Sequence, residues 1–317
     1  MAISVDSWLN IAIMEKLTVV YIFDYPNAMQ SAVHGVSDIL TIANHQAGKE
    51  LFLVKSLSQS EDPIESEQVL IFLPPYLTKE FPPFSDPVII ASLKKWYARG
   101  DILLAVCGGV FWLAESKLLS NKRVTTHWQI CQKLERSYPD IAEVNRREMI
   151  VDQGNIVTAA GLFAFQDLAL HIIIRFASYS LAKKVADYCL LDLGGRLQAY
   201  YQRFYPDLTH RDDLIAMAQK FCEMNLVSNI STTEIAQYCH VSERTLLRRF
   251  KKATGYSPKQ YSIQLKIEKA KQLMALEINT IEEISFKIGY TDASNFIKIF
   301  KKVTGVTPAE FRTRQTS

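Results

Sequence analysis

The sequence predicts a two-part chain: an α/β unit built on a parallel sheet, then an all-α segment with two helix-turn-helix units. Three observations carry that prediction. Short, almost continuously apolar runs alternate with amphipathic stretches over the first two hundred residues, the pattern of a parallel sheet covered by helices on both faces. Strand signals stop beyond Arg196. In the remainder, residues 250–261 (FKKATGYSPKQY) recur as residues 300–311 (FKKVTGVTPAEF), and Glu234-Ile235 recurs as Glu283-Ile284.

Taken in order, strands are expected at 17–23, 51–57, 69–73, 102–106 and 156–158, with helices at 28–47, 87–98, 110–116, 127–138 and 162–178. That succession describes a flavodoxin-like parallel sheet sandwich over about residues 1–205. The polar stretch 203–213 contains Pro206 and is the best linker signal. It places a linker at 206–212 and an all-α double helix-turn-helix domain at 213–317.

Bulk properties agree. A chain of 317 residues holds roughly two domains at about 150 residues each. With 48% hydrophobic and 22% charged residues, 12 Gly and 11 Pro, collagen-like, low-complexity and disordered readings are excluded. No apolar run reaches the ~18 residues of a membrane span, and the N-terminal stretch, with Asp6 and Glu15, has no secretion-signal pattern. Five cysteines without a Cys-x-x-Cys pair argue against a disulfide framework or zinc ribbon. A cytoplasmic protein without metal, cofactor or membrane partner is expected. Charge is unevenly spread. From Asp213 onward there are 16 Lys/Arg against 10 Asp/Glu, a net of +6, while the first 212 residues carry a net of −3. A basic module joined to a mildly acidic one suits a polyanionic partner.

Each repeat copy has the layout of a helix-turn-helix. In the first, Thr232 or Thr233 is expected to cap a helix that turns Ile235 and Ala236 inward. A turn follows at 239–241, and Ser242 caps a second helix running to about Thr254. On it Leu246 and Phe250 form the buried stripe, while Arg244, Arg248 and Lys251 sit at i, i+4 and i+7 on another face. The second copy matches with Phe296 and Phe300 inward and Ser294, Lys298 and Lys301 outward, and Gly255 and Gly305 suit left-handed helix stops. One basic helix alone reads as a solvated surface. Recurrence of the polar face at the same repeat position points instead to double-stranded DNA, whose major groove admits a helix. Residues 259–276 read as one long helix connecting the copies.

These residues resemble the AraC/XylS-family DNA-binding domain. The first copy carries Ser242-x-Arg244-x-Leu246-x-Arg248-x-Phe250. The second carries Ile288-Gly289-Tyr290-x-Asp292-x-Ser294-x-Phe296, then Phe300-Lys301 and Thr304-Gly305-x-Thr307-Pro308-x-x-Phe311-Arg312. The resemblance implies a bacterial transcription regulator with paired recognition helices in successive major grooves of a promoter or operator. On that basis Arg244 and Arg248 are expected at base edges in one half-site, and Ser294, Asn295 and Lys298 in the other. Lys251, Lys252, Lys301 and Lys302 are expected at phosphates, with Ser242 and Thr245 completing the interface. Two departures stand out: His240 occupies the usual glycine position of the first turn, and Lys266 replaces the usual arginine of the connecting helix.

In the front part, the strand at 102–106 runs into Cys107-Gly108-Gly109 and a helix from Val110, the strand–nucleophile–helix elbow of several hydrolase folds. His127 follows twenty residues later. Thiol and imidazole could form a nucleophile–base pair, or serve as a small buried group beside a core histidine. Together with Leu113-Ala114-Glu115, Thr125-Thr126-His127-Trp128 and Thr158-Ala159-Ala160-Gly161, the elbow resembles the PfpI-like branch of the class I glutamine amidotransferase-like fold. More narrowly it is similar to GlxA-type regulators, which carry such a domain before an AraC module. Active branches of that fold supply a carboxylate from the loop after the first strand and glycine N–H groups after the third. Here residues 27–35 contain no Asp or Glu, and Pro74-Pro75 stand after the third strand, without an N–H to donate.

No catalysis is therefore expected. Cys107 and His127 read as a vestigial elbow, and Cys107, Gly108 and His127 as the lining of a small-molecule effector site. Oxidation sensing requires a stabilised thiolate. The resemblance further implies a homodimer, with RNA polymerase as a second macromolecular partner. The competing readings are a cysteine-dependent hydrolase or amidase fused to a DNA-binding module, and a constitutive DNA-binding protein with a dimerising front domain.

Overall fold

Alternation of apolar and amphipathic runs is realised as a doubly wound sheet in a computed structural model, which describes residues 17–57, 63, 69–77, 86–194, 196–276 and 279–316. The chain divides into two units, residues 1–198 and 199–317. In the first, β1 (Thr18–Phe23), α1 (Gln30–Ala47), β2 (Phe52–Leu57), β3 (Val69–Leu73), α2 (Pro87–Arg99), β4 (Ile102–Val106) and α3 (Val110–Glu115) come in succession. After them run β5 (Arg123–Thr125), α4 (Cys131–Ser137), β6 (Glu143–Asn145), β7 (Ile150–Asp152), β8 (Ile156–Ala159), α5 (Phe165–Phe176) and α6 (Tyr179–Cys189).

The main sheet has the order β2-β1-β3-β4-β8-β7. Its first five strands are parallel and β7 is antiparallel. Without β7 this is the flavodoxin-like order, in which the strand order reverses between β1 and β3. All residues of β1, β3, β4 and β8 are buried, as expected for strands covered on both faces. Helices α1, α5 and α6 pack on one another, as do α2 and α3.

Local sequence explains most boundaries. Asp86 caps α2, accepting from the Val88 and Ile89 amides, with Pro87 at the first helical position. The expected helix over 127–138 starts late, at Cys131, because residues 127–130 close a turn through Ile130 N–H to the His127 carbonyl (2.9 Å). The expected helix over 162–178 divides into a 3₁₀ turn, Leu162–Ala164, and α5. Helix α6, which carries no expectation of its own, is capped by Ser178.

The second unit holds α8 (Asp213–Met224), α9 (Thr232–Tyr238), α10 (Glu243–Thr254), α11 (Pro258–Leu276), α12 (Ile281–Lys287), α13 (Ala293–Thr304) and α14 (Pro308–Thr316), and α7 (Gln198–Tyr201) lies at the divide. It contains two separate apolar cores. Ile215, Ala218, Ile235, Leu246, Phe250 and Tyr261 are among those in the first. Ile267, Ala270, Ile284, Phe296, Phe300 and Phe311 are among those in the second. Helix α11 serves both, giving Tyr261 to one core and Ile267, Ala270 and Met274 to the other.

The repeat extends to hydrogen bonds. Thr254 and Thr304 are buried and donate their hydroxyls to the Phe250 and Phe300 carbonyls (2.8 and 2.9 Å). Ser231 with Glu234, and Thr280 with Glu283, form reciprocal capping boxes on α9 and α12. The cap of α9 is thus Ser231, not Thr232 or Thr233, because only Ser231 stands three residues before Glu234. Gly255 and Gly305 end α10 and α13 at φ 81° and 83°.

Residues 199–212 run along this second unit. Phe204 stacks edge-on against Tyr256 and Tyr261 (5.6 and 5.2 Å) and donates its N–H to Glu268 (3.1 Å). Lys271 Nζ donates to the Gln202 carbonyl (2.5 Å). Within 206–212, the stretch expected to be a linker, Asp207 accepts at its carbonyl from Gln219 (3.1 Å) and His210 pairs with the same Gln219 (2.8 Å).

Among the described residues, no helix is long and apolar enough to cross a membrane.

Candidate functional site

Helices α10 and α13 each expose a run of basic residues at matching repeat positions. Ser242 caps α10, accepting from the Thr245 amide (3.3 Å) and donating to the Thr245 hydroxyl (2.9 Å). Asp292 caps α13, accepting from the Ser294 and Asn295 amides (2.9 and 3.0 Å). With both helices anchored at their starts and their apolar stripes in the two cores, the remaining faces point outward. Arg244, Arg248, Lys251 and Lys252 on α10 are exposed, as are Ser294, Asn295, Lys298, Lys301 and Lys302 on α13. Ser242 is exposed and Thr245 half-buried. Arg249, next to Arg248, is turned away and held by Asp212, the cap of α8 (2.6 Å). That pair holds the Asp212 carboxyl below its usual range. Lys251, Lys252, Lys301 and Lys302 lie in the last turns of their helices, where positive charge also favours the helix dipole.

The two lobes are fixed against each other by α11 and one close backbone approach. Lys266, buried on α11, donates to Asn229 before α9 (2.9 Å), and its ammonium lies 5.3 Å from the Tyr290 ring after α12. Gly289 has φ 82°, and a Cβ there would stand 1.7 Å from the Val227 carbonyl oxygen. Only glycine allows this approach. The corresponding residue of the first copy, His240, is also left-handed at φ 53° but exposed. His tolerates that conformation better than most residues, at a cost.

The elbow of the first unit lies at the carboxyl ends of β1, β3 and β4, next to the strand-order reversal where such sheets bind ligands. Cys107 adopts φ 52° and is buried, the strained geometry of a nucleophile elbow. Its surroundings are not those of a nucleophile. Burial pushes the thiol up to about 12, although the Gly108 and His127 backbone amides both hydrogen-bond to it. His127 therefore meets Cys107 through its backbone, while its ring Nδ1 accepts from the Gln129 amide (3.2 Å) and the ring stacks on Trp128 (5.4 Å). Partial burial lowers the imidazole pKa. Thr126 donates its hydroxyl to the Cys107 carbonyl (2.7 Å).

The group opposite the thiol is Tyr25. Burial raises its phenol pKa well above the usual value, and its electrostatic interaction with Cys107 adds to the rise. Its hydroxyl donates to the Pro74 carbonyl. Trp112 packs edge-on against it (5.7 Å) and Tyr76 stacks on it (6.2 Å). The loops after β1 and β3 are joined by Met29 N–H to the Pro75 carbonyl (2.8 Å) and Leu77 N–H to the Asn27 carbonyl (3.0 Å). Gly109 lets α3 start against this loop, since a Cβ there would lie 2.6 Å from the Pro74 carbonyl oxygen. The thiol thus faces a phenol at the end of the first strand, where an active member would present a carboxylate. Nothing in the sequence singled out Tyr25, since only the packing of the loops after β1 and β3 brings it to Cys107.

Two known families match the chain. The family described as Helix-turn-helix domain matches residues 235–314, and the DJ-1/PfpI family matches residues 82–175. Among curated relatives, the HTH-type transcriptional regulator ArgR of Pseudomonas aeruginosa is 26% identical over 74% of this chain and 71% of its own length. The HTH-type transcriptional regulator GbdR of the same species is 24% identical over 87% and 79%. The HTH-type transcriptional regulator GlxA of Rhizobium meliloti is 25% identical over 71% and 69%. The chain is a DNA-binding transcription regulator in which a DJ-1/PfpI-family match precedes an AraC-type helix-turn-helix match.

Proposed function

We propose that the second unit reads an operator by laying α10 and α13 in successive major grooves, and that the first unit is a non-catalytic sensor. The observation carrying the DNA reading is the recurrence, 50 residues apart, of one exposed cationic stripe on two helices whose cores are separate. Arg244 and Arg248 approach base edges in one half-site, and Ser294, Asn295 and Lys298 in the other. Lys251, Lys252, Lys301 and Lys302 approach phosphates, and Ser242 and Thr245 sit at the groove-facing start of α10. Helix α11, at about 28 Å for its 19 residues, suits two heads spaced about one 34 Å turn of DNA.

For the first unit, a protonated thiol beside a phenol, with the imidazole ring bound elsewhere, supports a sensor without hydrolytic chemistry. A small-molecule effector at the Cys107–Gly108–His127 turn would occupy the position where doubly wound sheets bind ligands. The reading further holds that the protein works as a cytoplasmic homodimer that communicates with RNA polymerase. Selection from random duplex DNA, for the full chain and for its Arg248→Ala variant, tests the DNA part. The full chain should enrich a two-part site, and the variant should lose preference at one or two base pairs of one half. Enrichment of the same site by both proteins would contradict it.

A further inference from the structure

Each proposed recognition helix exposes one large apolar side chain along the edge of its polar and charged stripe. Leu247 is 41% exposed and Ile297 is 37% exposed. On α10, residues 244, 247, 248 and 251 stand at i, i+3, i+4 and i+7, and are therefore neighbours on one face. On α13 the same pattern places Ile297 among Ser294, Lys298 and Lys301. Isolated exposed leucines are common and need no explanation. Here the apolar residue recurs at the same repeat position, while its neighbours change from Arg244 to Ser294 and from Thr245 to Asn295. Neither core is completed by it, since Leu246 with Phe250, and Phe296 with Phe300, are already fully buried on the adjoining face of each helix.

We infer that Leu247 and Ile297 read thymine C5-methyl groups in the major groove, one in each half-site. The assignment rests on α10 and α13 being the recognition helices. An apolar side chain on a helix in the major groove finds its complement in the methyl of thymine, the apolar group displayed on the base edges there. Burying the two groups against each other removes both from water. The flanking Arg244, Arg248 and Lys251, and Lys298 and Lys301, favour a polyanion over another copy of this cationic stripe. The half-sites should accordingly carry a thymine beside the base pairs read by Arg244 and Arg248, and another beside those read by Lys298.

The test uses the full chain on the duplex it selects from random DNA, with each thymine replaced in turn by deoxyuridine. That replacement removes only the methyl and leaves every hydrogen-bonding group in place. In each half-site one replacement should weaken wild-type binding about fourfold, the loss expected for one buried methyl. Leu247→Ala should abolish the penalty in the first half-site and leave it in the second, and Ile297→Ala the reverse. Both side chains are exposed, so neither variant should unfold, which circular dichroism checks. Specific binding that is indifferent to every deoxyuridine, or a Leu247→Ala variant as sensitive as wild type, overturns the methyl assignment while leaving the recognition helices standing. Absence of binding to any selected duplex overturns both.

Discussion

Cys107 combines an elbow's backbone with a thiol that burial holds in its protonated form. A nucleophilic cysteine needs positive charge or exposed donors to hold its thiolate. This one has burial, which pushes it up to about 12 against the lowering effect of two backbone amides. At pH 7.5 the folded protein should leave Cys107 unmodified by iodoacetamide, while denatured protein is alkylated there, as peptide mass spectrometry would show. The same shift sets a pH dependence. Because the folded pKa lies above the ordinary thiol value of about 8.5, this group's contribution to stability is complete below that value and is lost as pH rises toward 12. The two left-handed turn residues make a second contrast. His240→Gly should raise stability by about 1 kcal/mol, relieving a strained conformation at an exposed site. Gly289→Ala should cost about 3 kcal/mol or more, since its Cβ would collide with the Val227 carbonyl. Denaturant unfolding separates the two.

At the scale of elements, the parts readable in the sequence were those with a clean period. Strands β3 and β4 fall at the expected residues, and α10 and α13 follow from Leu246, Phe250, Phe296 and Phe300 at four-residue spacing. Strands β5, β6 and β7 are three residues each, too short to show alternation, and tertiary pairing defines them. The capping box at Ser231 was legible as Ser-x-x-Glu and lay one residue before the expected caps. Tyr25 could not be assigned a role from spacing, because only the packing of the β1 and β3 loops brings it to Cys107. The connecting helix carries its own prediction. Lys266→Met keeps the aliphatic stem but loses the Asn229 hydrogen bond and the Tyr290 contact. Affinity for a two-half-site duplex should fall several-fold, with little change on an isolated half-site, in fluorescence anisotropy titrations. A further asymmetry separates the recognition helices. Arg248→Ala should cost about 1–3 kcal/mol on the specific site, whereas Lys301→Ala should weaken all duplexes alike and lower the salt slope by about one.

For the whole molecule, the division between units bears on how a fragment should be cut. Residues 199–212 are tied to the helical unit by Phe204, by Lys271 with Gln202, and by Asp212 with Arg249. A fragment of 199–317 should therefore be more stable than one of 213–317 by about 2 kcal/mol or more, since the shorter piece loses the α8 cap as well as aromatic packing. The unequal charge of the two parts, visible in the sequence, already favoured a nucleic-acid module behind a different front domain. What composition could not reveal was that α11 feeds two cores and so sets both heads on one rigid support. That support makes a spacing claim. The most direct measurement is hydroxyl-radical footprinting of the full chain on its selected operator. Two protected patches on one face of the duplex, about one helical turn apart, are predicted. A single protected patch, or protection without sequence preference, would contradict paired reading by α10 and α13.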